Sequence, residues 1–377
     1  MRTSLVILAI ALSLIATDVH AKNQPGARAG GMTVDCDRGR SLNQALARGG
    51  PTLHVRFRGT CSEDVVVRRG NVILEGEDGA TIQGSLSFDP NDPAAGGPQG
   101  PVRVTDVSVI GATDVGVGVL AGARVTAERV RVSGSGAAGF FVNEGGHLVC
   151  IDCESFGNGG NGMSALANAT VRLAGNGVFS DNGVSGVSVG SSAEVTLANA
   201  TVGDLTPVIV TANGNVDNGI VVFGGGSILV DEGATVEAHG NGSGPGVGSF
   251  GAGFLVGTGS AGFMSGTVNA SGNDAGIFVI AGSLLMFGDT NVSGNLIGMF
   301  TSNDGVLRPT GTNTLTDNTF GVLMQSGVLQ LGQTTFSGSV VVDLNLAFGA
   351  KVRSAPLPGA TVFCDGTVLT LDGFVCP

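Results

Sequence analysis

The chain has 377 residues, with 18 Lys and Arg against 30 Asp and Glu and a net charge of −12. That acidic balance opposes nonspecific binding to nucleic acid or anionic lipid. Glycine reaches 66 residues, yet 42 % of the chain is hydrophobic and only 13 % charged, which excludes the composition of a disordered chain.

Residues 1–21 read as a targeting signal. Arg2 supplies the positive start, 5–15 is an apolar run too short to span a bilayer, and Ala21 ends a plausible cleavage site. The expected mature chain, 22–377, is therefore secreted or periplasmic, and no later segment is apolar enough to span a membrane. Six cysteines in an exported chain suggest disulfides. Local pairing would give Cys36–Cys61, Cys150–Cys153 and Cys364–Cys376, the outer two stapling the chain ends. Cys150 and Cys153 have the spacing of a redox motif but lack a βαβ context, so a structural bridge or two buried thiols is favoured.

One helix is predicted, over 41–48. Ser41 and Gln44 make a capping box, and Leu42, Ala45 and Leu46 form an apolar stripe that would cover an open first coil. Residues 89–101, DPNDPAAGGPQGP, read as a loop. Its Asp89 and Asp92 are weak candidates for a cation, and no metal or cofactor is assigned.

From Gly116 onward a glycine followed by an apolar run recurs at Gly139, Gly162, Gly186, Gly219, Gly253, Gly276, Gly298 and Gly321. The spacings are 23, 23, 24, 33, 34, 23, 22 and 23. A fixed period of this size means stacked supersecondary units, and the two long spacings are a coil plus an insertion. The insertions fall at about 199–208 and at 242–252, GSGPGVGSFGA. One residue after each anchor come Val117, Phe140, Met163, Val187, Ile220, Phe254, Ile277, Met299 and Val322; three after come positions such as Val119, Val142 and Val222. Period-two alternation puts both columns on one face, pointing into a bore. Asn158, Asn182, Asn215, Asn273, Asn295 and Asn318 precede the anchors, and Asn241 holds the same place before an insertion. They read as turn formers whose amides bond along the stack.

The fold class is thus all-β, a single-domain parallel β-helix of about eleven or twelve coils over 22–377. A cap occupies 34–64, coils 65–344, and a last coil and cap 345–377. The start, VDCDRGRSLNQALARGGPTLHVRFRGTCSEDVVV (34–67), and repeats such as VNASGNDAGIFVIAGSLLMFGD (268–289) resemble the pectate-lyase-like right-handed β-helix superfamily over about 34–377. That resemblance implies an exported protein, often a lyase, epimerase, esterase or hydrolase of acidic polysaccharides. It also implies that chemistry would sit on the outer face of the first strand of each coil.

That outer face holds no carboxylate, Lys, Arg or His over Phe141, Ser164, Ser188, Val221, Leu255, Phe278, Phe300 and Leu323, nor in the column two residues on, which includes Phe223 and Ile280. A lyase needs a cation and a positioned base, and a glycosidase two carboxyl groups. No catalytic residue is carried over. The remaining candidate is the second strand, where Arg124, His147 and Arg172 are expected to line up outward on three successive coils, followed by Glu194. They would capture a carboxylate or sulfate, with His147 as the candidate base. His239 reads as a lone surface residue. The favoured function is a non-catalytic exported scaffold for a protein partner or surface glycan; the alternative is a lyase, epimerase or hydrolase on acidic polysaccharide. The outward apolar positions Phe141, Val221, Phe223, Leu255, Phe278, Ile280, Phe300 and Leu323 form a strip that needs cover. The 242–252 loop and the tail from Asn345, a partner, or a second copy would supply it.

Overall fold

The computed structural model describes residues 31–48, 51–90, 100–200, 206–242, 250–354, 357, 359–371, 374 and 376. Residues 1–21, expected to be a targeting signal, Asp92 and parts of both insertions lie outside these residues. The described chain winds into a solenoid of three parallel sheets with 15, 13 and 12 strands. One coil runs through Val117–Val119, Arg124–Glu128 and Arg131–Ser133. These three strands belong in turn to the 13-stranded anchor sheet, the 15-stranded long sheet and the 12-stranded third sheet.

The register on the anchor sheet is the one the glycine repeat implies. Val117 pairs with Phe140, Phe140 with Met163, Met163 with Val187, and so on through Val322. All of these side chains are buried, and together with the inward columns of the other two sheets they make one continuous core. The anchors are glycine because coils meet there. A Cβ on Gly219 would lie 2.6 Å from the Gly253 carbonyl oxygen, and one on Gly298 would lie 2.5 Å from that of Gly321. Both are inside contact distance, so any side chain would force the coils apart.

Beside the anchors runs a buried amide ladder. Asn158 Nδ2 donates to Asn182 Oδ1 at 2.9 Å, and the pattern continues through Asn215, Asn241, Asn273 and Asn295 to Asn318 at 3.0–3.1 Å. Each acceptor oxygen also takes the main-chain N–H of the preceding Asn. The second amide hydrogen of Asn182, Asn215, Asn273, Asn295 and Asn318 goes to a carbonyl on the preceding coil. None of the seven is more than 4 % exposed. Burial this deep is tolerated because the amides are hydrogen-bonded.

The stack is longer than the glycine period indicates. The anchor sheet's 13 strands make about thirteen turns rather than eleven or twelve. The extra turns sit at the ends, where Asp64, Ser85 and Asp343 occupy the anchor register in place of glycine. The tail from Asn345 likewise adds rungs: Asn345 pairs with Leu323, and Val362–Cys364 pairs with Leu344–Leu346.

At the first coil the helix Leu42–Leu46 buries Leu42, Ala45 and Leu46. Ser41 caps it by accepting from the Gln44 N–H at 3.2 Å. The other half of the capping box comes from elsewhere. Glu63 takes the Ser41 hydroxyl and the Leu42 N–H, so a neighbouring coil supplies the carboxylate. All three disulfides form as the local pairing implied. Cys150 and Cys153 are each 1 % exposed, which denies thiol exchange the access it needs.

The amide ladder yields a direct test. Asn241→Ala strips the acceptor from both the N–H and Nδ2 of Asn215, and leaving buried donors unpaired should cost about 3 kcal/mol. Asn291→Ala, on the exposed face, should stay within about 0.5 kcal/mol of the parent. Equal thermal melting of the two variants would contradict a structural role for the ladder.

Candidate functional site

The cationic residues lie on the outer face of the long sheet, and the register resolves them into two columns. Arg124 pairs with His147, His147 with Thr170 and Thr170 with Glu194. Arg172 pairs instead with Val149, in the column of Arg103 and Thr126. The expected single stripe is therefore corrected. Coils here repeat every 23 residues, which brings Thr170 rather than Arg172 beside His147. Arg172 sits one coil on and two residues along, about 7 Å further down the strand direction.

The neighbouring arginines are neutralised. Arg103 donates to Glu128 at 2.6 Å. Arg129 bonds both Asp106, at 2.6 Å, and Glu128. Arg131 meets Glu154 at 2.7 Å while lying over the Phe156 ring. Hydrogen bonds from Arg103 hold the Glu128 carboxyl below its ordinary range, and those from Arg129 do the same for Asp106. Arg124 and Arg172 have no carboxylate partner among the described residues, and Arg172 Nε is buried without a hydrogen-bond acceptor. Burial first, and then the charge of Arg124, push His147 below its ordinary pKa, so its imidazole is neutral at pH 7.

Two hollows meet at this place. One, of about 500 Å³, is lined by residues including Arg69, Phe88, Pro101 and Arg124. The other, of about 270 Å³, is lined by Pro101, Arg124, Val125, Thr126, His147 and Val149. They share Pro101 and Arg124, and no carboxylate lines either of them among the described residues. The result is a groove lined by Arg69, Arg124 and His147 at the corner between the anchor and long sheets.

The apolar strip on the anchor sheet is shorter than expected. Val221, Leu255, Phe278, Phe300 and Leu323 are contiguous. Phe141 is separated from them by Ser164 and Ser188. Phe278 and Phe300 stack at 4.6 Å, and Phe250 from the second insertion packs edge-on to both, at 5.6 and 6.1 Å. Phe223 is 37 % exposed, its ring lying over Gly190, and Ile280 lies against Gly257. The insertion therefore supplies partial cover, whereas the tail from Asn345 adds rungs instead of folding back.

His239 is not a lone surface residue. On the third sheet its Nδ1 lies 2.7 Å from Ser271 Oγ and its Nε2 2.8 Å from Glu237 Oε2. The sequence signal was a Glu-x-His on one strand with a Ser in register one coil later. The insertion stretches that coil to 32 residues between His239 and Ser271 and hides the register. Among the described residues no group of three or more His, Cys, Asp or Glu has the arrangement to hold a metal ion, and no helix is long and apolar enough to cross a membrane.

The family model of the right-handed β-helix region matches residues 56–232. The chain is a right-handed parallel β-helix. The β-helix also has a solved structural counterpart in pectate lyase Pel9A, at 14 % identity and a TM-score of 0.42, covering 81 % of this chain and 78 % of that one. No curated protein sequence matches the chain. Such a β-helix puts its structural repeats inside and leaves function to its outer faces, so the fold names no reaction.

The strip carries its own test. Phe278→Ser combined with Phe300→Ser removes both neighbours of Phe250. The β-helix should lose melting temperature at unchanged mass in sedimentation. A shift to smaller mass at constant melting temperature would instead identify the strip as an interface between copies.

Proposed function

We propose that this β-helix is an exported scaffold that binds an anionic glycan, without turnover at that site, along the Arg69–Arg124–His147 groove, with Arg172 extending the site. One observation carries the reading: a chain of net charge −12 keeps a groove lined by Arg69, Arg124 and His147 and by no described carboxylate. Beside it Arg103, Arg129 and Arg131 are held in ion pairs. A carboxylate or sulfate entering the groove would meet the Arg124 guanidinium, which has no described carboxylate partner, and could accept charge-assisted hydrogen bonds from it. The three disulfides are compatible with an oxidising extracellular or periplasmic location.

A second reading has one observation in its favour. His147 is neutral and adjacent to Arg124, so it has the protonation state of a general base beside a uronate-binding cation. It has no orienting carboxylate partner in the described residues, which is why binding is preferred over lyase chemistry.

The measurement is titration of the mature protein with polygalacturonate, a sulfated glycan and a neutral glucan at low and high salt. The acidic polymers should bind and the glucan should not. Binding should weaken with salt as charges are screened. Arg124→Glu and Arg172→Glu should each reduce affinity at least about tenfold, from the loss of about 1.5–3 kcal/mol per charged hydrogen bond. Absence of acidic-polymer binding at low salt would overturn the proposal. Appearance of unsaturated product, lost in His147→Ala, would replace it with the lyase.

The groove also sets a pH dependence. His147 is neutral when the site is empty because burial and Arg124 disfavour its charge. A bound anion favours the imidazolium, so its pKa rises in the complex and binding takes up a proton. Affinity should therefore increase as pH falls from 7 towards 5, and His147→Ala should flatten that slope.

A further inference from the structure

The third sheet holds a constellation apart from the cationic groove. Glu237 and His239 are two residues apart on the strand Ala234–His239 and face the same side. The next coil places Ser271 directly opposite His239 and Asn269 opposite Glu237. Glu237 uses both oxygens: Oε2 meets His239 Nε2 at 2.8 Å, and Oε1 accepts from Asn269 Nδ2 at 2.7 Å. Asn269 is fixed in turn by accepting from Asn291 Nδ2 at 2.9 Å. An ionised carboxylate is only an acceptor, so Nε2 carries the imidazole proton. Nδ1 then has a free lone pair, and the 2.7 Å contact to Ser271 is an O–H donated to that nitrogen. Hydroxyl, unprotonated imidazole nitrogen and orienting carboxylate are thus connected in the order that activates a serine. His239, Glu237 and Ser271 are all partly exposed, so a substrate has access.

We propose that Ser271, His239 and Glu237 form an acyl-transfer centre acting on small uncharged acyl esters of polyhydroxylated alcohols. Ser271 Oγ adds to the ester carbonyl carbon while its proton passes to His239 Nδ1, and the carbonyl π pair moves onto oxygen. When that pair returns, the bond to the alcohol oxygen breaks and the alcohol leaves with the proton from His239. Water repeats the sequence on the acyl-serine. Its proton goes to His239 and then to Ser271 Oγ, and the carboxylic acid is released. One ester and one water give one alcohol and one acid.

The surroundings select the substrate class. The main-chain N–H groups that follow His239 and Ser271 are already spent, Gly240 on the Ser271 carbonyl and Gly272 on that of Ser293. The donor for the developing oxyanion is therefore a side chain, and the Ser293 hydroxyl is in register beside Ser271. No Lys or Arg occurs between Arg172 and Arg308, so an anionic acyl group would find no cationic partner in this stretch. The same face continues as Asn269, Asn291 and Thr314, with Ser293 and Thr316 beside them. These rows of amides and hydroxyls suit the hydroxyl groups of a glycan.

The test uses the intact protein, a fluorophosphonate probe with peptide mass mapping, and hydrolysis of 4-nitrophenyl acetate. The probe should modify the peptide carrying Ser271, and the adduct should vanish in Ser271→Ala and His239→Ala. Ester hydrolysis should fall about a hundredfold or more in both variants and about tenfold or more in Glu237→Gln. His54→Ala, on the long sheet, should leave labelling and ester hydrolysis unchanged. Since all three side chains point outward, melting temperature and far-UV spectrum should match the parent. A parent that takes no label, or label and hydrolysis that persist in Ser271→Ala, would overturn the proposal.

Discussion

Stacking coils at one strand spacing forces backbone against backbone, and the structure depends on how that contact is satisfied. Along one corner the solution is an Asn ladder, in which each buried amide donates to the next coil and accepts from the one before. An isolated buried amide would be a liability. Repeated in register, it becomes a set of closed hydrogen bonds that also fixes the turn. The glycine anchors follow from the same geometry, because the ladder brings the adjacent backbones within reach of any Cβ.

This inner regularity has a consequence for the outer faces. Along the described stack the inward columns are occupied mainly by apolar side chains, so chemistry is confined to outward positions. There, neighbours on adjacent coils are held about 4.8 Å apart, close enough for side chains to bond. Arg131 opposite Glu154 and Glu237 opposite Asn269 are instances of this cross-coil contact. What distinguishes a site from the ordinary surface is a departure from pairing. Among the described residues Arg124 and Arg172 lack the carboxylates that Arg103, Arg129 and Arg131 possess.

The two insertions act where they leave the stack. The second delivers Phe250 onto the stacked pair Phe278 and Phe300. Those rings spend their faces on one another, so they present mainly edges outward. They are poorly disposed as a platform for a sugar ring, and they contribute packing between coils.

By itself the sequence determined the period, the inward columns, the Asn ladder, the capping helix and the two outer disulfide pairs, while the Cys150–Cys153 bridge was decided by the structure. Each depends on a repeat or a contact between near neighbours, and repeats print their register directly in the chain. It underestimated the number of turns because the end coils replace the anchor glycine with Asp64, Ser85 and Asp343. Only the tertiary structure decided which outward residues meet. It set Thr170 beside His147 and moved Arg172 into the next column. It also closed the 32-residue gap that brings Ser271 to His239. The physical reason is that inward positions are held by burial, which composition reveals, while outward contacts depend on coil length. A difference of two residues, or one insertion, moves a side chain to a different neighbour without disturbing the core.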